Sequence, residues 1–201
     1  MKVKLPALLE GSTFARGTAI SGVTVSAAQR ADNARVIYQE FRRAGYPAGL
    51  ALVAIANAIH ESDLSNYAAG DSGQSIGLFQ LKAPSGAGAG MSIEQRQDPV
   101  LNTRRIIEKM KEDGAALFAS YDAGASVAEL SRIFGRDVEQ GSGSRDRGET
   151  ARKAFGATIA DASAKKLTYV AVAAQAGLIV GASVVAAVGL VLLWRYTRRA
   201  T

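Results

Sequence analysis

Cysteine is absent from the 201 residues. That excludes a disulfide framework, a thiolate nucleophile and any cysteine-based zinc site. Histidine occurs once, at position 60. His60-Glu61 begins like the zinc-protease motif HExxH, but position 64 is leucine, and that motif needs a second imidazole one helical turn on. Serine–histidine–aspartate chemistry would also have to use His60, and no GxSxG-like elbow accompanies it. No glycine-rich phosphate loop follows a strand pattern. No basic stripe with interleaved aromatics is present to suggest nucleic acid. Neither metal, cofactor nor nucleic acid is expected.

Charge of one sign is scarce over most of the chain. Residues 1–160 carry 19 Lys/Arg against 17 Asp/Glu, whereas residues 161–201 carry 5 against one. The net charge of +6 is therefore concentrated around one hydrophobic segment. From Leu167 to Trp194 no charged residue occurs across 28 positions, which exceeds the roughly 20 apolar residues needed to cross a bilayer. Lys165 and Lys166 flank one end, and Arg195, Arg198 and Arg199 the other. Tyr169, Trp194 and Tyr196 sit where interfacial aromatics belong. Residues 167–194 are expected to be a transmembrane helix, followed by a short basic tail, 195–201. Gly177 and Gly181 form a GxxxG pair, a pattern that serves as a helix-dimer seam and also arises by chance in a segment rich in Ala and Gly.

Residues 1–25 read as an irregular lead. Pro6 and Glu10 interrupt its apolar stub, which falls short of the run of about 7–15 residues in a secretory signal, so no signal peptide is expected. Residues 26–160 should form one mainly α-helical domain. A helix is expected over Ser26–Ala44, with Ser26 as N-cap and Gly45 in the left-handed position beyond it. A second should begin at Pro47 and continue to about Leu64. Residues 65–92, rich in Gly, Ser, Asp and Asn, read as loop with a small hairpin at Ile76–Leu81. Asp98 as cap, Pro99 just inside and Gly114 beyond mark a helix over Pro99–Asp113. Ser126 with Glu129 has the form of a capping box, and a last helix should span about Ser144–Ala160.

Glu61 lies near the end of the second helix, with Ala54, Asn57 and Ala58 on the same face. Those small residues could floor a cleft that admits a substrate. They could equally pack against another helix, leaving Glu61 a solvated acid. The following loop, Gly70-Asp71-Ser72-Gly73-Gln74-Ser75-Ile76-Gly77-Leu78-Phe79-Gln80-Leu81, bears on the choice. Together with Glu61-Ser62 before it and Asp98-Pro99-Val100-Leu101-Asn102 after it, this order of elements resembles the lytic transglycosylase and goose-type lysozyme superfamily. In that family a helix ends in Glu-Ser, a loop carries Gly-Leu-(Met/Phe)-Gln, and a later helix begins Asp-Pro-x-x-Asn. The matching span is about Ala48 to Arg105.

The resemblance implies a lysozyme-like fold and a peptidoglycan substrate. Glu61 matches the catalytic acid, which would protonate the glycosidic oxygen between N-acetylmuramic acid and N-acetylglucosamine. Burial against Ile76, Leu78 and Phe79 would help it hold its proton near neutral pH. Gln80 matches the loop glutamine that faces the sugar, Gly77 would let the backbone approach the glycan, and Asn102 matches the helix asparagine near the site. Phe79, Ser75 and Asp71 are further substrate contacts, with Asp71 equally suited to forming the turn. Ser120-Tyr121-Asp122-Ala123-Gly124 is similar to the family's tyrosine-bearing stretch but follows Asn102 closely, and Phe134–Glu139 is faintly similar to the last segment of phage tail lysozymes.

No second carboxylate is specified around Glu61. A two-carboxylate hydrolase needs a partner about 5–9.5 Å away, whereas a lytic transglycosylase uses one glutamate and the sugar's own 6-hydroxyl. A transglycosylase is therefore expected ahead of a lysozyme. Its partners would be glycan strands and a lipid bilayer. The order of parts is similar to virion-associated transglycosylases of phages with an internal membrane, among other virion proteins, acting on the host envelope during genome delivery. Alternatives are a lysozyme of a tailed-phage ejection apparatus, a conjugation or secretion wall opener, and a virion membrane protein whose lysozyme-like domain only binds glycan.

Overall fold

A computed structural model describes residues 25–139 and 144–167. Most of the expected N-terminal lead, the expected transmembrane span beyond Leu167 and the basic tail lie outside them. Among the described residues no helix is long and apolar enough to cross a membrane. What is described is mainly helical with one very small sheet, as the composition of caps and periods predicts.

Helix α1 (Ala27–Arg43) starts at a complete capping box: Ser26 Oγ accepts from the Gln29 amide, and the Gln29 side chain accepts from the Ser26 amide. Two backbone donors that the helix cannot pair internally are thereby satisfied. Gly45 then takes φ +86° and turns the chain. Helix α2 (Ala48–Ser62) follows, with Pro47 as its extended N-cap rather than in its first turn. Every residue from Ala48 to Ala58 is buried, so this helix is apolar on all faces, the pattern of a central rod. It packs against α1 and three C-terminal elements. At its end Asp63 and Leu64 both adopt left-handed backbone (φ 51° and 59°), stopping the helix two residues earlier than the apolar pattern suggests.

The loop folds into three two-residue antiparallel strands, β1 (Ala69–Gly70), β2 (Ser75–Ile76) and β3 (Leu81–Lys82), in the order β1-β2-β3. Ile76 pairs with both Ala69 and Leu81. Helix α3 (Ile93–Gln97) comes next and was not legible, because five residues carry no period. Helix α4 (Pro99–Asp113) has the predicted bounds, with the Asp98 carboxylate accepting from the Val100 and Leu101 amides. Helix α5 (Ala115–Asp122) was also missed: only Leu117 is buried, so no apolar stripe marks it.

Helix α6 (Val127–Ile133) begins at Ser126, whose hydroxyl accepts from the Glu129 amide. It runs into a π-helical turn, Phe134–Val138. Helix α7 (Ser144–Phe155) and the short α8 (Ala157–Ala160) replace the single helix expected there, because Gly156 takes φ +78° between them. The chain after α8 returns to α2. A Cβ built on Gly49 would lie 2.1 Å from the Ala164 carbonyl oxygen, so this segment rests directly on the α2 backbone.

Gly49→Ala is therefore expected to destabilise the domain. Alanine gains about 1 kcal/mol of helix propensity, but displacing a packed backbone carbonyl costs roughly 1–3 kcal/mol. Thermal unfolding of the full-length chain in detergent, followed by circular dichroism, should show a lower midpoint. An unchanged or higher midpoint would mean the contact relaxes freely.

Candidate functional site

The loop is held to the helices by three buried polar side chains. Ser62, the residue after Glu61, donates its hydroxyl to the Leu78 carbonyl at 2.9 Å, as well as to Ala58 O within its own helix. Asn102 is fully buried. Its Oδ1 accepts from the Phe79 amide at 3.1 Å, and its Nδ2 donates to Arg96 O at 2.6 Å and to Ile76 O at 3.3 Å. Arg96 in turn donates to Gln74 O and Leu81 O. The bonds to Gln74, Ile76, Leu78, Phe79 and Leu81 fix loop backbone groups that two-residue strands do not hold by themselves.

Gly77 is obligatory in this clasp. Its φ is +85°, and a Cβ there would meet Arg96 O at 2.1 Å and Asn102 Nδ2 at 2.3 Å. Its small size serves the packing of loop on helix, where the sequence suggested close approach to a glycan. Gln80, with φ 47°, donates from Nε2 to Ala68 O and Gly77 O, both at 3.1 Å, so its amide is engaged within the loop and is only partly exposed. Ser75 donates to Asp71 Oδ2 at 2.9 Å. Asp71 is exposed, has φ 48° and pairs with Lys82 at 3.2 Å. The Ser75 hydroxyl first, and Lys82 second, hold its carboxyl below the usual carboxylate range. Asp71 thus plays the turn-forming part allowed for it. Tyr121 is half-buried on α5, which packs on α6 and the π turn.

Glu61 sits at the end of α2 with its side chain 20% exposed. The expected apolar lid is not what its carboxylate meets. Ile76, Leu78 and Phe79 are buried in the core, and Phe79 lies against Phe134 with ring centroids 6.3 Å apart. Glu61 Oε1 is instead paired with Arg147 Nη2 of α7 at 2.6 Å. The face that sequence alone offered as a cleft floor is covered: Ala54, Asn57 and Ala58 are fully buried. Asn57 Oδ1 accepts from Arg147 Nη1 at 3.1 Å. His60, one residue back, places Nδ1 3.1 Å from Thr150 Oγ1, a second tie between α2 and α7.

Arg147 has a second acidic partner. Its Nη1 lies 2.5 Å from Oε2 of Glu139, the residue that ends the π turn. Arg147 and Glu139 side chains are 3% and 4% exposed. Gly135 makes the passage for this arginine: a Cβ there would stand 2.0 Å from Arg147 Nε. Burial pushes the Glu139 carboxyl up, to about 8, with the Glu61 charge adding to the rise and Arg147 opposing it. The first cause is the loss of water around the carboxyl, and the second carboxyl sharing one guanidinium adds to it. Glu139 also lines a cleft of about 160 Å³ together with Phe79, Gln80, Val138 and Lys109. Glu61 does not line that cleft; it occupies the other terminal nitrogen of Arg147.

Glu139 and Arg147 were not among the residues chosen from the sequence. Arg147, Ala151 and Phe155 are buried on one face of α7 at i, i+4 and i+8. An arginine occupying the first position of an apolar stripe was the available sign. Among the described residues no group of acidic and histidine side chains could hold a metal ion.

Two outcomes follow from this geometry. Asn102→Leu should deprive the Phe79 amide and the carbonyls of Ile76 and Arg96 of their Asn102 partner, at about 1–3 kcal/mol for each group left buried without another, and hydrogen exchange at Phe79 should accelerate while α1 is less affected. Because the folded chain holds a proton on Glu139 that the unfolded chain releases, stability should fall as pH rises from about 4.5 through about 8, by up to about 1.4 kcal/mol per pH unit. Glu139→Gln should flatten that decline in thermal melts taken across the range.

Compared with protein-family models, curated proteins and solved structures, the chain matches none of them.

Proposed function

We propose that the chain is a peptidoglycan-cleaving lytic transglycosylase in which Glu61 acts as acid and then as base. The observation that carries the reading is the meeting of three separated sequence elements. Ser62, beside Glu61, is bonded to Leu78 of the Gly77–Gln80 loop, and Asn102 of the Asp98–Asn102 helix start is bonded to Phe79 of the same loop. These are the elements in which the sequence resembles lytic transglycosylases and goose-type lysozymes. Their convergence beside a part-exposed glutamate supports a common site.

In this reading Glu61 donates a proton to the glycosidic oxygen as the bond to the muramic acid carbon breaks. The resulting carboxylate takes the proton of the sugar's 6-hydroxyl as that oxygen attacks the same carbon, giving a 1,6-anhydro end and restoring the acid. Glu139 gives the hydrolase reading some footing, since it brings a second carboxyl to the same guanidinium. A base for water must meet that water, however, and the Glu139 side chain is only 4% exposed, with Oε2 engaged by Arg147. The transglycosylase reading is therefore preferred over a lysozyme, as is cleavage over glycan binding alone. The uncharged run of residues 167–194 with basic flanks supports a bilayer anchor, consistent with a virion-associated enzyme that opens the host wall.

Full-length Glu61→Gln should lose clearing of peptidoglycan by about 10²–10⁴-fold while its melting curve stays close to wild type. Mass spectrometry of the wild-type digest should show 1,6-anhydromuramic ends. Undiminished clearing by the variant would remove Glu61 from the chemistry. Products one water heavier would make the enzyme a hydrolase.

A further inference from the structure

Glu61, Arg147 and Glu139 together hold two carboxyls and one fixed positive charge, brought from α2, α7 and the end of the π turn. With both carboxyls ionised, one negative charge is unbalanced beside a buried guanidinium. With one proton bound, the cluster is neutral. We propose that Glu139 is a positioning residue that stores this proton for Glu61, the two carboxyls exchanging it while Arg147 pairs with whichever is ionised. This rests on the glycan-cleaving reading above.

In the resting site the proton is on Glu139, and Arg147 Nη2 pairs with Glu61 Oε1 at 2.6 Å. When a sugar covers the exposed edge of Glu61 and removes its water, the charged form of Glu61 becomes costlier. Glu139 then releases its proton and Glu61 gains one, so the cluster remains neutral. Arg147 is already hydrogen-bonded to Glu139 Oε2 through Nη1 and needs no movement to balance the new carboxylate. Glu139 Oε1 is buried with no hydrogen-bond partner among the described residues, a state a neutral carboxyl tolerates far better than a carboxylate.

Lys109, which lines the same cleft as Glu139, is paired with Asp113 and Glu112, Lys82 is paired with Asp71, and His60, beside Glu61, has Nδ1 3.1 Å from Thr150 Oγ1. Asn57 offers Arg147 only a neutral oxygen. Removing the store has a definite consequence. In Glu139→Gln the amide oxygen can still accept from Arg147, but protonating Glu61 would then leave the buried guanidinium without a counter-charge.

The test uses the full-length chain in detergent. Clearing of peptidoglycan is measured as kcat/KM against pH for wild type and E139Q, and glutamate carboxyls labelled with ¹³C are titrated by NMR without substrate. The expected result is an alkaline limb moved at least one pH unit toward acid in E139Q, with activity at pH 7.5 lower by about tenfold or more. Arg147→Gln added to E139Q should move the limb back. In wild type one carboxyl should remain protonated at pH 7 and be lost in E139Q. Should E139Q not fold, the wild-type NMR titration alone decides. If wild type clears peptidoglycan but no carboxyl is protonated at pH 7, or the E139Q limb does not move, the proton store is overturned. If wild type never clears peptidoglycan, it is the glycan-cleaving reading that has failed, whatever the NMR shows.

Discussion

The guanidinium of Arg147 is the fixed point around which the C-terminal half of the domain is arranged. Burying an arginine costs several kcal/mol unless its charge is met, and here the two terminal nitrogens are met by Glu61, Glu139 and Asn57, while Nε is buried without a partner among the described residues. To bring those three acceptors within reach, α7 packs against α2, and the chain after α6 widens into a π turn that ends at the buried Glu139. Gly135 must stay without a side chain so that the arginine can pass. The cluster ties the packing of α2, α7 and the π turn to a single electrostatic condition.

That condition also sets what the site can do. A glutamate against an apolar wall holds its proton by desolvation alone. Glu61 instead faces a cation, and the group that desolvation acts on most strongly is Glu139. Under the proposed chemistry, Glu61 as an acid depends on how the charge of Arg147 is divided between its two carboxyls. Glu61 stands at the rim, and Glu139, the other carboxyl on the same guanidinium, is buried.

The loop contributes rigidity to the same region. Its strands are two residues long, too short to hold themselves, and its backbone is fixed by side chains from elsewhere: Ser62 from α2, Arg96 from α3 and Asn102 from α4. Several residues that sequence reasoning assigned to substrate contact are spent on this fastening. Gly77 admits the Asn102 side chain, Asn102 is fully buried, and Gln80 and Ser75 bond within the loop. Residues that hold a site's shape and residues that touch a ligand share the same motif, and spacing cannot separate them.

Local chemistry by itself determined the helix limits wherever a cap or a stop was decisive: Ser26 with Gln29 and Gly45 around α1, Asp98, Pro99 and Gly114 around α4, Ser126 before α6. These are interactions over three or four residues, complete within the segment that spells them. The run after Pro47 likewise marked a second helix, and the position of Glu61 before the Gly77–Gln80 loop was readable in order and spacing. Only the tertiary structure decided which face of α2 is covered, that Phe79 turns into the core against Phe134, and that Arg147 and Glu139 close on Glu61. Arg147 lies 86 residues from Glu61 along the chain. Its place at the head of the stripe it forms with Ala151 and Phe155 marks it locally but does not name its partners, because its role arises from the desolvation that packing imposes, and desolvation belongs to the folded whole.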